Sequence, residues 1–221
     1  YHDQNSFYGN TPYMATQKVL FLQLNWEKQL GKHNLKSGIS YKSNFYDDNT
    51  PGTANLSGEN QPMKSPIAGI YVEDEWEIND KNTLLIGYRY DYHKIHKSVH
   101  SPRLAWKFEP NPFQTLRLTF GTGFRVVNLF TEDHAALTGS REVVIKEDLK
   151  PEKSLNTNLS YLMKIPVNNY FINVDLNGFY SYFNNKIIGD FDSEPDKIIY
   201  NNLSGHAISR GISADVSTNW T

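Results

Sequence analysis

Residues 101–130 read SPRLAWKFEPNPFQTLRLTFGTGFRVVNLF. In the first half Leu104, Trp106 and Phe108 share one parity, and Arg103, Ala105 and Lys107 share the other. In the second half Leu116, Leu118, Phe120 and Phe124 alternate with Arg117, Thr119, Gly121 and Gly123. Successive strand residues point to opposite faces, so each half is a strand with one apolar and one polar or small face. Glu109 to Gln114 lies between them, and its two prolines cannot continue a ladder. The stretch is a β-hairpin that suits either a soluble sandwich or a membrane barrel.

The same alternation recurs on both sides. Strands are predicted at Thr16–Lys28, Asn34–Phe45, Ile67–Ile78, Thr83–His93, Pro151–Lys164, Tyr170–Phe183 and from Ile198 to the end. With the hairpin this makes an all-β antiparallel meander of about nine strands. Residues Tyr1 to Ala15 read as a loop or the tail of a preceding strand. Connections alternate in length. Gln29–His33, Asn79–Asn82, Glu109–Gln114 and Ile165–Asn169 are short, whereas Tyr46–Pro66, Lys94–His100, Arg125–Lys150 and Asn184–Lys197 are predicted as loops.

Composition narrows the classes. The 221 residues carry a net charge of −2, which gives no basic footprint for nucleic acid. There is no cysteine, hence no disulfide framework and no thiol-based metal or nucleophile site. No apolar run is long enough for a transmembrane helix. Mean hydropathy is −0.58, which a barrel also shows, because half of each strand faces a polar lumen. The 14 tyrosines and 12 phenylalanines would supply the aromatic girdles of such a wall.

Three regularities favour the barrel. Short turns alternating with longer loops are the pattern of outer-membrane barrels. Strands of about 10–14 residues exceed the usual 5–6 of a sandwich and suffice to cross a bilayer. The apolar parity ends in aromatic residues: Trp26, Trp76, Trp106 and Phe108 toward the short turns, and Phe45, Tyr88, Tyr90, Tyr92, Tyr180 and Tyr182 toward the loops. Asp74 alone breaks the outward parity of Ala68, Ile70, Val72 and Trp76. A charge facing lipid is costly at the midplane, so Asp74 is expected at the short-turn interface.

With this orientation several motifs acquire meaning. Ser101-Pro102-Arg103 and Gly121-Thr122-Gly123-Phe124-Arg125 resemble the hairpin of TonB-dependent outer-membrane receptors. Leu149 to Ser154 is similar to that family's strand-entry motif, and Ile70 to Trp76 and the Asn201–Ile212 region resemble two further strands. Val126-Val127-Asn128 departs from the usual Ala-Pro, and Ser213 stands where Glu is frequent. The resemblance covers roughly residues 67–221 by motif, and the earlier part by pattern. It implies that residues 1–221 are part of a 22-stranded barrel whose lumen holds a plug domain. It also implies a Gram-negative outer-membrane receptor for a scarce nutrient, such as an iron–siderophore or another metal chelate. The implied partners are the TonB energy-transducing complex through an N-terminal region, the receptor's own plug, and outer-membrane lipid. The start without Met, and the end within an alternating run, lead to the expectation of a longer parent chain. A passive porin, an adhesin-like barrel and a soluble β-rich binding module are the competing functions.

Candidate site residues fall into three groups. His93, His96 and His100 crowd one connection and His134 lies in the next; imidazoles can hold a metal or an anionic chelate. Tyr46, Asp47 and Asp48, like the Asp190–Asp192 region, are loop residues of the type that contacts ligands. Arg103, Arg117 and Arg125 take the inward parity, where guanidinium groups suit a plug carboxylate or a planar anion. No nucleophile–base pair appears, so no enzyme and no cofactor is expected. Gly121 and Gly123 read as lumen-face glycines, not a phosphate loop.

Overall fold

A computed structural model describes residues 1–8, 11–50, 53–54, 59–94, 96–126, 141–147 and 149–220. Ten strands form one antiparallel sheet: β1 (His2–Tyr8), β2 (Thr11–Leu30), β3 (His33–Asp48), β4 (Met63–Asn79), β5 (Asn82–His93), β6 (Lys97–Asn111), β7 (Gln114–Arg125), β9 (Glu152–Val167), β10 (Tyr170–Asn185) and β13 (Ala207–Trp220). Three short strands, β8 (Glu142–Ile145), β11 (Ile187–Asp190) and β12 (Lys197–Asn202), form a separate sheet. All nine predicted main strands are present.

Directly opposed residues in neighbouring strands share a face. One row runs His33, Trp76, Leu84, Trp106, Leu118, Leu159, Gly178 and Ile212 across β3 to β13. The row above it runs Leu35, Asp74, Ile86, Leu104, Phe120, Thr157, Tyr180 and Arg210. On the opposite face Glu73, Gly87, Arg103, Gly121, Asn156, Ser181 and Ser209 line up. The two faces keep their chemistry over most of the sheet, with Asp74 and Arg210 as the charged residues of these outward rows.

The apolar face is bare. Leu24 is 69 % exposed and Ile212 91 %. Among the described residues the buried hydrophobics are only Tyr13, Ala15, Tyr46, Val99, Ile198, Ile199 and Tyr200. A soluble module of this length would bury its alternating leucines and isoleucines in a closed core. Here those side chains wait for an apolar solvent.

The hairpins are staggered. Asn79 lies three residues beyond Trp76, the partner of His33; Asn111 lies three beyond Phe108, the partner of Asn82; Val167 lies four beyond Met163, the partner of Gln114. The turns therefore shift by ten residues over six strands. With about 3.3 Å per residue and about 4.8 Å between strands, the slope is roughly 45–50°, close to the tilt of membrane barrel strands.

Asp74 places a carboxylate among the outward apolar rows, and its neighbours hold it. Its Oδ2 lies 2.8 Å from His33 Nδ1, and the His33 ring stacks on Trp76 at 5.5 Å. Asp74 sits in the outward row next to Trp76, on the side away from the Asn79–Asn82 turn.

Five details differ from the sequence reading. Residues 2–8 form β1, and β2 begins at Thr11, within the region read as a loop or tail. The ladder of β3 continues to Asp48, and β4 begins at Met63, inside the predicted Tyr46–Pro66 loop. The Lys94–His100 loop shrinks to positions 94–96, because His93 already pairs with Lys97. The predicted long last strand is two strands in different sheets, interrupted at positions 203–206, where Gly205 has φ of 107°. The Arg125–Lys150 and Asn184–Lys197 connections contain β8 and β11. Residues 127–140 lie outside the described residues.

Close approach explains one glycine. A Cβ on Gly38 would stand 2.5 Å from the Leu24 carbonyl oxygen and 2.7 Å from the Tyr71 ring, which lies over it to donate a hydrogen bond to Asn25. Gly178 meets nothing nearer than 4.0 Å. Gly38→Ala is expected to destabilise the wall by about 1–3 kcal/mol through overpacking, whereas Gly178→Ala leaves it unchanged. Heat-modifiability on gels of the full-length protein in detergent measures both.

Candidate functional site

The site is the polar face and its loop-end mouth. It is built by parity: odd residues of β4, β5, β6 and β7 and even residues of β3 and β9 all face inward.

At mid-wall the charges pair. Arg89 Nε and Nη2 each lie 2.7 Å from a carboxylate oxygen of Asp91, and Nη2 also donates to Ser40 Oγ at 2.8 Å. Gly69 makes room for this cluster, since a Cβ there would sit 2.2 Å from Asp91 Oδ1. Arg103 faces inward 3.8 Å from Glu73, and Arg117 is an exposed inward cation opposite Lys107 and Ser160. Arg125 binds Glu152 Oε2 through Nε at 3.0 Å and Nη2 at 2.7 Å. The second oxygen of Glu152 accepts the Ile187 N–H at 3.0 Å. One carboxylate thus ties the mouth ends of β7 and β9 to β11.

The mouth has a small hydrophobic core of its own. Tyr13, Ala15 and Tyr46, from the inward face of β2 and β3, bury against Ile198 (2 % exposed) and Tyr200 (3 %) of β12. β12 pairs parallel with β8 and antiparallel with β11. The short sheet, carried by connections after β7 and β10, therefore bridges to the opposite end of the wall. The polar face is the concave one.

The three groups of predicted residues separate. Tyr46 and Asp48 are drawn into the mouth core: the Tyr13 and Tyr46 hydroxyls lie 2.7 Å apart, and Tyr46 donates to Asp48 Oδ2 at 2.7 Å. Asp48 Oδ1 accepts from Thr50 N at 2.8 Å and lies near the Thr50 and Thr53 hydroxyls at 2.7 and 2.9 Å. Burial, then the bonds to Tyr13 and Asp48, push the Tyr46 phenol up. Its tethering is held below the ordinary phenol pKa of about 10 and is lost as strongly alkaline pH ionises it. Asp47 has the opposite parity and accepts from Asn60 at 3.0 Å.

His93 and His96 come together, because the chain reverses between His93 and Lys97, which pair with each other. Their rings stack at 4.7 Å. His93 Nδ1 accepts the His96 N–H at 3.1 Å, which leaves Nε2, 2.7 Å from Ser65 Oγ, as the protonated nitrogen of a neutral ring. Burial, then the nearby charges of His93 and Lys153, lower the pKa of the His96 imidazole. His100 lies on the outward face against Tyr88 and Tyr90. His134 lies outside the described residues. Among the described residues no group of three His, Asp or Glu side chains is placed to hold a metal ion.

Residues that the sequence reading missed include Arg89, Asp91, Ser40, Tyr13 and Glu152. The signal for Arg89 and Asp91 was available, since i and i+2 on a strand share a face. Tyr13 depends on contacts across the concave side, which no local pattern encodes, whereas Glu152 is placed by its pairing with Arg125 on the neighbouring strand. Between these groups lies an inward cavity of about 320 Å³ lined by Phe21, Lys42, Arg89, Phe124 and Arg125. It offers cationic and aromatic side chains together.

Comparison with known proteins fits this geometry. The sequence profile of the TonB-dependent receptor-like β-barrel matches residues 1–221. The chain belongs to that family. It is 31 % identical over 135 residues to the iron-regulated outer membrane virulence protein of Vibrio cholerae, covering 60 % of this chain and 20 % of that one. It is 22 % identical over 217 residues to a probable TonB-dependent siderophore receptor, PirA, of Acinetobacter baumannii, covering 92 % and 27 %. Among solved structures, the ferric enterobactin receptor PfeA of Pseudomonas aeruginosa superposes with a TM-score of 0.68 at 17 % identity, covering 92 % of this chain and 34 % of that one. The chain thus spans about a fifth to a third of the length of these relatives. The receptor-barrel wall is a bacterial outer-membrane structure, and its bare apolar face is the lipid face.

Tyr46→Phe keeps the ring but removes the hydroxyl shared by Tyr13 and Asp48. It is expected to cost about 1–3 kcal/mol, because buried partners lose a hydrogen bond. Faster amide exchange across residues 46–54 and 197–202 in the full-length protein is the measurement; unchanged exchange would exclude the bridging role.

Proposed function

We propose that this chain is the wall and mouth of an energy-coupled outer-membrane receptor that imports an iron–siderophore or a similar anionic metal chelate. The carrying observation is the inward cavity in which Lys42, Arg89 and Arg125 meet Phe21. Guanidinium groups match planar anionic oxygen donors, and aromatic faces suit the organic frame of a chelate. Arg89 and Arg125 are positioned by Asp91 and Glu152. Lys42 is exposed and carries no ion pair among the described residues, so its charge is available to a ligand. The names of the relatives, an iron-regulated virulence protein and siderophore receptors, point the same way.

In this reading His93 and His96 shape the rim and Asp47 faces outward at the mouth, while Arg103 and Arg117 meet a plug domain supplied elsewhere in the parent chain. The edges β1 and β13 each have one neighbour, and lipid tolerates no unpaired strand edge. Further strands of a 22-stranded barrel complete them. Coupling to the TonB complex runs through the plug and an N-terminal segment, which separates this reading from a passive porin.

The test is uptake of iron-55-labelled siderophores by cells whose other receptors are deleted. Uptake that requires this gene and stops on collapsing the proton gradient is expected. Equal iron-limited growth with and without the gene would exclude the proposal. Lys42→Glu is expected to weaken binding of an anionic chelate about tenfold, roughly 1.4 kcal/mol, with unchanged heat-modifiability.

A further inference from the structure

The reversal that joins β5 to β6 is strained, and a proton-sensitive bond closes it. His93 and Lys97 oppose each other at the end of the ladder. Lys97 has φ of 59°, the left-handed region that a residue with a Cβ enters at a cost. Across the reversal the His96 N–H donates to His93 Nδ1 at 3.1 Å. His93 is 1 % exposed and takes the inward parity, opposite Ile67 of β4. Its Nε2 lies 2.7 Å from Ser65 Oγ, and the His96 ring covers it at 4.7 Å.

A ring nitrogen that accepts an N–H carries no proton of its own. Nε2 already holds the proton directed at Ser65, so an added proton goes to Nδ1. Protonation therefore removes the acceptor and turns one N–H against another, while the Ser65 bond stays. The surrounding charges oppose it as well. Asp91, two residues back on the same face of β5, is held by Arg89 through both oxygens. Lys94 in the reversal, Lys97 on β6 and Lys64 beside Ser65 on β4 are cations, and so is Lys153 on β9, whose charge reaches His96. His96 does not take up the proton instead, because burial and then the charges of His93 and Lys153 depress its pKa.

We propose that His93 is a proton-operated latch at the rim of the mouth: neutral, it holds the β5–β6 reversal closed; protonated, it releases the His96 N–H and the strained reversal opens. In the open reversal His93 is an ordinary imidazole, which takes a proton at about pH 6.5. Closure is therefore fully present above that value and is lost progressively as pH falls below it. Ser65 and Asp91, which flank His93, line the inward cavity, so acid loosens one of its walls. The latch operates whether or not that cavity takes a chelate.

Amide exchange of the full-length receptor in lipid nanodiscs, at about pH 7.5 and about pH 5 and divided by the intrinsic rate at each pH, tests it. Protection from His93 to His100 is expected to fall at least about tenfold in acid and to recover at neutrality, while the Asn79–Asn82 turn keeps its protection. His93→Asn places an amide oxygen where Nδ1 stands, so it accepts the same N–H without titrating and should be protected equally at both pH values. His96→Gln keeps the backbone donor and should retain the acid response. Unchanged protection in the wild type, or an acid response that survives His93→Asn, overturns the proposal. If His93→Asn does not close the reversal at either pH, the nitrogen-15 resonances of wild-type His93 decide. Nδ1 should gain its proton in step with the loss of protection; a ring that stays neutral through that loss rules the latch out.

Discussion

Everything in this chain depends on one two-sided constraint. The ladder must pair its backbone groups because lipid offers them no partner, while its two faces meet different solvents. Rows such as Trp76–Leu84–Trp106–Leu118 satisfy lipid, and rows such as Glu73–Gly87–Arg103–Gly121 satisfy a polar lumen. A conventional core is unnecessary, which is why the leucines are exposed and the few buried hydrophobics cluster at the mouth.

The same constraint explains what the sequence reveals. Alternation reports lipid contact on one face, not hydrogen bonding. Within the membrane band Leu20, Leu22 and Leu24, or Tyr88, Tyr90 and Tyr92, write the strand plainly. Above the band both faces meet water, so the alternation stops while the ladder runs on. That is why β2, β3 and β6 extend into regions read as loops. It is also why β1 was not legible as a strand: Gln4, Asn5 and Ser6 give no apolar period.

The candidate site was legible only as far as parity reaches. Arg103, Arg117 and Arg125 face inward as their positions dictate. Tyr46, Asp47 and Asp48 are neighbours in sequence, yet parity splits them, with Asp47 facing away from the other two. His93 and His96 have opposite strand parity, and the chain reversal between His93 and Lys97 stacks them. The bridge from β12 to Tyr13 and Tyr46 joins residues more than 150 positions apart, beyond any local pattern. Among the described residues it makes the mouth the region with a packed interior, held by Glu152 at its base.

The central claim is that one face of this sheet touches lipid and the other does not. The chain has no cysteine, so single cysteines can be placed freely. Spin labels at successive positions from Gly69 to Trp76 of β4, in the full-length protein in lipid bilayers, measure it. Ile70 and Val72 should be accessible to oxygen, and Tyr71 and Glu73 shielded from it, with period two. An accessibility profile without that alternation, or with its phase reversed, would contradict the account.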